Sequence, residues 1–353
     1  MLGKHPGGRT CLFGMLLRLL LLFSPLPLSP AFGEEVFFVT SYHQGDMCGQ
    51  PQYDAAMEAL RQSNIPDLTF RGYCLDSRRR PPEEVQQEIQ YILQDLRERK
   101  PALVITVDDL AFASLYKEVL GHPSMFLVFT GLNRFVEEYH AQAPFLDDQG
   151  LPNANITGVF EHLFMKEQME MLEVLLGRPI KEVGVLYSTD PVGIILKNQI
   201  SQELHATVYG EKLRFYEASN LEEALDHAKT LGKDPKIDAW IPATMSVQNP
   251  REGTFLTMRN LAKPLMARIP KPDLALNVSF AELGFYGGVS VNFYDMGFQA
   301  GLMGAKLLLG HPIQNVPVEN ARNSLIAINR SRLRQLGLSL PQEYTAVVDT
   351  FLE

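Results

Sequence analysis

The stretch from residue 153 to residue 190 constrains the fold most, because it starts a new α/β unit halfway along the chain. Residues 155–160 are β-prone, and residues 163–176 carry apolar side chains at the spacing of one helix face. Gly177 ends that helix, and residues 183–187 are an apolar run of strand length. Because a complete α/β unit precedes this stretch, we predict that the chain passes here from one lobe into a second.

Apolar strands alternate with amphipathic helices on both sides of this stretch. Strands that are apolar on both faces are typical of parallel sheets covered by helices on each side. We therefore predict an α/β protein with two Rossmann-like parallel-sheet lobes. The predicted strands are residues 36–40, 68–73, 103–107, 125–129, 183–187, 213–217, 239–242, 265–267 and 287–291, and the predicted helices are residues 53–60, 83–99, 111–120, 192–204, 221–231, 254–261, 294–309 and 332–336.

The first 33 residues have the composition of a secretory signal. Lys4, Arg9 and Arg18 are their only charges, residues 12–23 are mostly apolar, and small residues precede Glu34. We expect a cleaved signal peptide and a periplasmic or otherwise extracytoplasmic location. An uncleaved anchor and a lipoprotein signal are the alternatives.

Export would place the remaining cysteines, Cys48 and Cys74, in an oxidising compartment. They follow the first and second predicted strands, whose ends meet if the strands are neighbours in a parallel sheet. We expect a disulfide between them, and two buried thiols that never meet are the alternative.

Polar side chains follow the strands of both halves. In open parallel sheets, ligands bind beyond the carboxyl ends of the strands. Hydroxyl, amide and carboxyl groups there can hold a small polar ligand, although each residue alone also suits a helix cap or a turn. The candidate ligand-binding residues are Ser41, Tyr42, His43, Asp108, Asp109, Thr130, Gly131, Asn133, Glu161, Tyr187, Ser188, Thr189, Thr244 and Asn277.

Motifs of catalysis and of metal or cofactor binding are absent from the sequence. It contains no G-x-x-x-x-G-K-[ST], H-E-x-x-H or G-x-S-x-G, and no G-x-G-x-x-G after the first strand. His43, Asp46 and Cys48 match no strong metal-ligand spacing. We therefore expect no cofactor and no metal. The net charge of −9, without a basic stripe, is evidence against nucleic-acid binding.

Several strand-end motifs resemble those of the ABC-transporter substrate-binding protein family with the type 1 periplasmic-binding fold, in its branch of uncharacterised exported proteins. They are Ser41-Tyr42-His43, Val107-Asp108-Asp109-Leu110-Ala111-Phe112, Val128-Phe129-Thr130-Gly131-Leu132-Asn133, Asn155-Ile156-Thr157-Gly158-Val159-Phe160-Glu161, Gly287-Gly288-Val289 and Asp295-Met296-Gly297. The resemblance implies two lobes joined by a three-strand hinge and closing on a ligand. Lobe 1 would comprise residues 34–157 and 280–318, and lobe 2 residues 158–279 and 319–353. The branch often carries an aromatic residue near Met47-Cys48, which this chain lacks.

The resemblance implies a solute-binding protein that delivers a small molecule to the permease of an ABC importer, and that meets the membrane only through this partner. A sensory binding protein that signals to a membrane histidine kinase has the same sequence requirements and is the first alternative. An exported enzyme that uses Asp108, Asp109 and Glu161 as acids and bases is the second. The rings of Tyr42 and Tyr187, beside nearby hydroxyl groups, favour an amino-acid-like ligand.

Overall fold

The computed structural model describes residues 34–243 and 246–353. The strands are β1 (Glu35–Thr40), β2 (Thr69–Cys74), β3 (Leu103–Val107), β4 (Phe126–Leu132), β5 (Ile156–Phe160), β6 (Glu182–Ser188), β7 (Leu213–Ala218), β8 (Ile237–Ala243), β9 (Ser246–Asn249), β10 (Thr254–Thr257), β11 (Gly287–Val291), β12 (Glu319–Asn320), β13 (Ser324–Asn329) and β14 (Thr350–Leu352). The helices are α1 (Gly49–Gln62), α2 (Pro82–Arg99), α3 (Asp109–Val119), α4 (Val136–His140), α5 (Met165–Leu176), α6 (Pro191–His205), α7 (Leu221–Lys233), α8 (Met258–Met266), α9 (Val278–Glu282), α10 (Phe293–Leu308), α11 (Arg330–Leu336) and α12 (Gln342–Thr345). The predicted signal peptide lies outside the described residues.

The first sheet has six parallel strands in the order β12-β5-β4-β3-β1-β2. Val36, Phe37 and Phe38 of β1 are fully buried, since helices cover both faces of the sheet. One face packs against α1 and α10, and the other against α2 and α3. We call this sheet, with α1–α4 and α10, lobe 1. Its construction confirms the predicted α/β class.

The second sheet is built from two groups of strands. Strands β7-β6-β8 are parallel, and β11-β13-β14 form the other group, in which β11 and β13 are antiparallel. Single bridges from Trp240 to Asp273 and from Leu274 to Gly287 join the groups. We call these strands, with α5–α9, α11, α12 and the β9–β10 hairpin, lobe 2.

Strand pairing moves two of the predicted lobe boundaries. Strand β11 was predicted in lobe 1, but it pairs with β13. Strand β12 was predicted in lobe 2, but it pairs with β5. The chain passes between the sheets after β5, after β11 and after β12. Movement of one lobe against the other stays a prediction.

Two local predictions in lobe 2 are wrong. Residues 254–257 form strand β10 of a hairpin rather than the start of a helix, and residues 265–267 end α8 rather than forming a strand. Short elements of this kind carry too few residues for their periodicity to separate helix from strand. In the part of the chain that the structure describes, no helix is long and apolar enough to span a membrane.

Candidate functional site

The carboxyl ends of the lobe 1 strands bring together five side chains that we call the cleft cluster: Tyr42, Arg78, Asp108, Asn133 and Glu161. The guanidinium carbon of Arg78 lies 4.7 Å from the centre of the Tyr42 ring, and the Tyr42 hydroxyl hydrogen-bonds Asp108. Burial acts to lower the pKa of Arg78, but its neighbours, chiefly Tyr42 and Asp108, outweigh burial and raise the pKa. Arg78 is therefore a permanent cation that is surrounded by protein groups yet open to solvent, as in a cleft.

Asp108 starts helix α3 in a strained backbone conformation. Its φ of +76° lies in the left-handed region, which residues other than glycine seldom adopt. Its backbone amide donates a hydrogen bond to the carbonyl oxygen of Thr130, on the neighbouring strand β4, at 2.9 Å. Burial raises the pKa of the Asp108 carboxyl, while Arg78 and Tyr42 oppose that shift. Strain of this kind is concentrated at functional sites, where surrounding contacts hold the residue in place.

Asp109 points away from the cleft and holds the loop that follows β4. Its carboxylate accepts hydrogen bonds from the amides of Asn133 at 3.1 Å and Arg134 at 3.2 Å, and from the Tyr139 hydroxyl at 2.7 Å. Burial, together with the nearby Asp108, raises the pKa of Asp109 to about 7. These donors occupy the carboxylate, so Asp109 positions Asn133 rather than offering itself to a ligand.

Glu161 lies where the chain leaves β5 for lobe 2, and only 7% of its surface is exposed. Burial raises the pKa of its carboxyl to about 8. The side chain of Asn133 hydrogen-bonds the carboxyl and opposes this shift, whereas Asp108, Asp109 and Glu203 add to it. Glu161 is thus a buried acid, and the charged groups that act most strongly on its pKa are acids as well.

Three of the predicted lobe 1 residues have structural roles. The Ser41 hydroxyl donates to the carbonyl of Val107 at 3.2 Å and accepts from the amide of Ala111 at 3.0 Å, which ties β1 to the start of α3. Thr130 donates to the side-chain oxygen of Gln52 at 3.0 Å. Gly131 lies against the same Gln52 side chain and has a φ of +72°, in the left-handed region that favours glycine.

His43 lies outside the cleft cluster. Its Nδ1 is 3.7 Å from Asp46 and 4.0 Å from Asp76, and its ring lines a separate cavity of about 310 Å³ on lobe 1. No group of His, Cys, Asp and Glu side chains within the described ranges is arranged to hold a metal ion.

The predicted ligand-binding residues of lobe 2 have different surroundings in the structure. Tyr187 donates to Glu217 at 2.7 Å, and Ser188 donates to Asp190, which caps α6. Thr189 is exposed. None of the contacts described for these residues reaches the cleft cluster. Thr244 lies outside the described residues.

Asn277 is the predicted lobe 2 residue with an unsatisfied group. It precedes α9, and its side-chain oxygen is buried without a hydrogen-bond partner among the described residues. A buried, unpaired amide oxygen is costly unless something else supplies a donor.

Contacts between the lobes surround the cleft cluster. The Asn133 amide nitrogen donates to the Gln199 oxygen of α6 at 3.4 Å. The Cys48 sulfur lies 3.9 Å from the Ser279 hydroxyl of α9. A guanidinium nitrogen of Arg259, on α8, is 3.8 Å from the sulfur of Met47. Helices of lobe 2 therefore face the strand ends of lobe 1 directly.

The predicted disulfide is wrong for this structure, because Cys48 and Cys74 are both free. Cys48 precedes α1 and faces Ser279 of the other lobe, whereas Cys74 ends β2 and is exposed. Burial raises the pKa of the Cys48 thiol to about 12, so the thiol is protonated near neutral pH. Their strand ends are close, as predicted, but Cys48 lies past the end of its strand and turns towards lobe 2.

Sequence reasoning missed Arg78, Gln199 and Ser279 as site residues. Arg78 lies in the loop after β2, so the rule that selected the other strand ends also covers it. It stands in a run of arginines, Arg78-Arg79-Arg80, and the sequence does not reveal which one packs on the Tyr42 ring. Gln199 and Ser279 lie on helices, where the strand-end rule does not apply.

A comparison with known proteins decides the family. A family model described as ABC transporter substrate binding protein matches residues 83–350. This chain belongs to that family. The resemblance seen in the strand-end motifs is thereby confirmed, and ligand capture is the activity that the family name states.

Other similarities agree with this assignment. A tyrosine-binding protein of Clostridioides difficile is 19% identical over 194 residues, which are 53% of this substrate-binding protein and 51% of the relative. The chain thus spans about half the length of that relative.

Two solved structures share the fold. One is the ligand-free, open structure of a substrate-binding protein with adhesive properties from Clostridium difficile, with a TM-score of 0.68, 14% identity and coverage of 91% of this chain and 99% of the other. The other is an ABC domain in complex with L-Trp from Streptococcus pneumonia, with a TM-score of 0.65, 16% identity and coverage of 91% and 100%. They support the periplasmic-binding-protein architecture predicted from the sequence.

Proposed function

We propose that this substrate-binding protein captures a small polar, amino-acid-like molecule between its lobes and delivers it to the permease of an ABC importer. The observation that carries the proposal is the Arg78 guanidinium beside the Asp108 carboxyl, at strand ends that face lobe 2. An α-amino acid carries a carboxylate and an ammonium group on one carbon. A guanidinium binds a carboxylate through two parallel hydrogen bonds, and a carboxylate accepts from an ammonium group.

Polar groups of both lobes would complete such a site. Asn133 and Glu161 belong to lobe 1, while Ser279 and the unpaired oxygen of Asn277 belong to lobe 2. A ligand that contacts both lobes binds the closed arrangement better than the open one, and only such a difference can drive closure. The closed, ligand-bound protein then presents a surface that differs from that of the empty protein, and a permease can recognise this difference.

The acidic residues of the site support ligand capture rather than catalysis. Asp109 is occupied by three internal donors, and no nucleophile paired with a base accompanies Asp108 and Glu161 among the described residues. The sequence of residues 1–33 supports export through a cleaved signal and an extracytoplasmic site of action. On this proposal the protein meets the membrane only through its permease.

Thermal-shift screening of the purified protein against amino acids, sugars and metal ions tests the proposal. A ligand that binds only the folded state raises the melting temperature in proportion to the logarithm of its concentration above Kd. We expect one or more amino acids to do so, and native mass spectrometry to show one molecule bound per chain. Stabilisation by sugars or metal ions alone would contradict the proposal.

A further inference from the structure

The carboxyl of Glu161 is buried, and it forms no ion pair with any residue that the structure describes. The charged groups that act most strongly on its pKa are acids: Asp108 and Asp109 at the start of α3, and Glu203 on α6. The uncharged side chain of Asn133 is its hydrogen-bonding partner. The cations of this region have other partners among the described residues: Arg78 faces Tyr42 and Asp108, and the ring of His162 lies 3.3 Å from Glu203.

The other acids around it already have partners. Asp109 accepts its three internal hydrogen bonds. Glu203 accepts from the amides of Leu163 at 2.8 Å and Met165 at 3.1 Å, and lies 3.3 Å from the ring of His162. Asp108 faces Arg78 and the Tyr42 hydroxyl. These contacts fix the loops on each side of Glu161 and leave Glu161 itself without an internal counter-ion.

A buried carboxylate without a counter-ion is costly in any folded protein. The position of Glu161 explains why the cost is tolerated here. It begins the first passage between the lobes, next to Asn133, which contacts Gln199 of lobe 2. A molecule enclosed by the lobes at Arg78 and Asp108 would therefore have Glu161 within the same enclosure, shielded from water.

We propose that the ligand carries a second cationic group, an amine that Glu161 binds, in addition to the head group held at Arg78 and Asp108. The chemical class is that of diamino acids such as L-lysine and L-ornithine. This inference rests on the proposed function and narrows its ligand class. Arg78 meets the carboxylate, Asp108 the α-ammonium group, and Glu161 the side-chain amine.

Binding of such a ligand is coupled to a proton. Burial holds the pKa of Glu161 at about 8, so the carboxyl is mostly protonated at neutral pH in the free protein. A cation beside it favours the ionised form and expels the proton. The affinity for a diamino acid therefore rises as the pH rises towards about 8, and calorimetry in buffers of different ionisation enthalpy detects proton release.

The matched ligands L-lysine and L-norleucine test the inference, because they share a chain length and differ at the terminal amine. Isothermal titration of the purified protein, in EDTA to exclude divalent cations, should show L-lysine or L-ornithine binding at least about tenfold more tightly than L-norleucine. Glu161→Gln should abolish this preference and the proton release. The control Glu98→Gln removes an exposed acid of α2 and should change neither.

The outcomes separate the inference from the proposed function. If L-norleucine, L-tyrosine or L-tryptophan binds as tightly as the diamino acids, or if Glu161→Gln keeps the preference, the second cationic group is refuted and amino-acid capture stands. If the folded protein binds no amino acid of either kind, both proposals fail. The wild-type comparison decides even if the Glu161→Gln protein does not fold.

Discussion

At the scale of single residues, the site depends on which groups the fold leaves unsatisfied. Ser41, Thr130 and Ser188 were predicted as ligand contacts because hydroxyl groups suit that role, but each is hydrogen-bonded to its own neighbourhood. Arg78 and Glu161 differ, since no internal bond fully satisfies either. Sequence reveals which residue types end a strand, but partners such as Gln52 and Val107 come from distant segments and cannot be assigned from it.

Arg78→Ala tests the residue that holds the ligand head group. Loss of a guanidinium that pairs with a ligand carboxylate leaves that carboxylate unpaired, so we expect affinity to fall by at least about tenfold. Arg79→Ala is the matched control, because Arg79 pairs with Asp76 at 2.7 Å and its side chain is 59% exposed. Titration calorimetry with the ligand found by screening measures both. Equal affinity in the two variants would refute the assignment of Arg78.

The raised pKa of Glu161 predicts how stability depends on pH. In the unfolded chain the carboxyl ionises near its ordinary value of 4.5, and in the folded protein near 8. Between these values the unfolded state binds fewer protons, so the contribution of Glu161 to the free energy of unfolding falls as pH rises. The loss is complete above about pH 8, where the buried carboxylate is charged.

Glu161→Gln should therefore make the free energy of unfolding less dependent on pH, and should stabilise the ligand-free protein at pH 8.5 relative to the wild type. Urea denaturation followed by circular dichroism at several pH values measures both effects. Glu98→Gln should leave the pH dependence of the free energy of unfolding as it is in the wild type. If Glu161→Gln also keeps the wild-type pH dependence, Glu161 ionises normally in the folded state.

At the scale of elements, burial on both faces made the long strands predictable. Strands β1, β3 and β4 are apolar along most of their length because helices cover both faces of the sheet. A continuous apolar run in the sequence therefore identifies each of these strands. The partner of a strand is harder to predict. Strand β11 could have joined either sheet, and its antiparallel pairing with β13 depends on a distant segment that begins only at Ser324.

The contact between α1 and α10 tests close packing in lobe 1. A Cβ atom on Gly301 would overlap the carbonyl oxygen of Ala56, and backbone cannot move aside as a side chain can. We expect Gly301→Ala to destabilise the protein by about 1–3 kcal/mol, although alanine favours helix. Leu302→Ala, at an exposed position of the same helix, should cost about 0.5 kcal/mol or less. Similar melting temperatures for the two variants would contradict this packing.

At the scale of the whole molecule, the two sheets belong to two lobes, and the strand ends of lobe 1 face helices of lobe 2. The sequence predicted two lobes because the alternation of apolar strands and amphipathic helices occurs in both halves of the chain. It could not predict which helices face the strand ends of the other lobe. Those contacts, from Asn133 to Gln199 and from Cys48 to Ser279, bring the lobe 2 helices against the cleft cluster.

Enclosure of a ligand between the lobes is the central claim, and a cross-link between Cys48 and Ser279→Cys tests it most directly. The native sulfur and hydroxyl are 3.9 Å apart, so oxidation of the variant with a copper catalyst at alkaline pH, where more of the buried Cys48 thiol ionises, should join the lobes, in a Cys74→Ser background that removes the other described thiol. Exchange of a labelled ligand out of the protein is then measured before and after reduction. The account predicts that oxidation slows release sharply and that reduction restores it. Release at the same rate from the oxidised and reduced protein would contradict the claim that the ligand lies between the lobes.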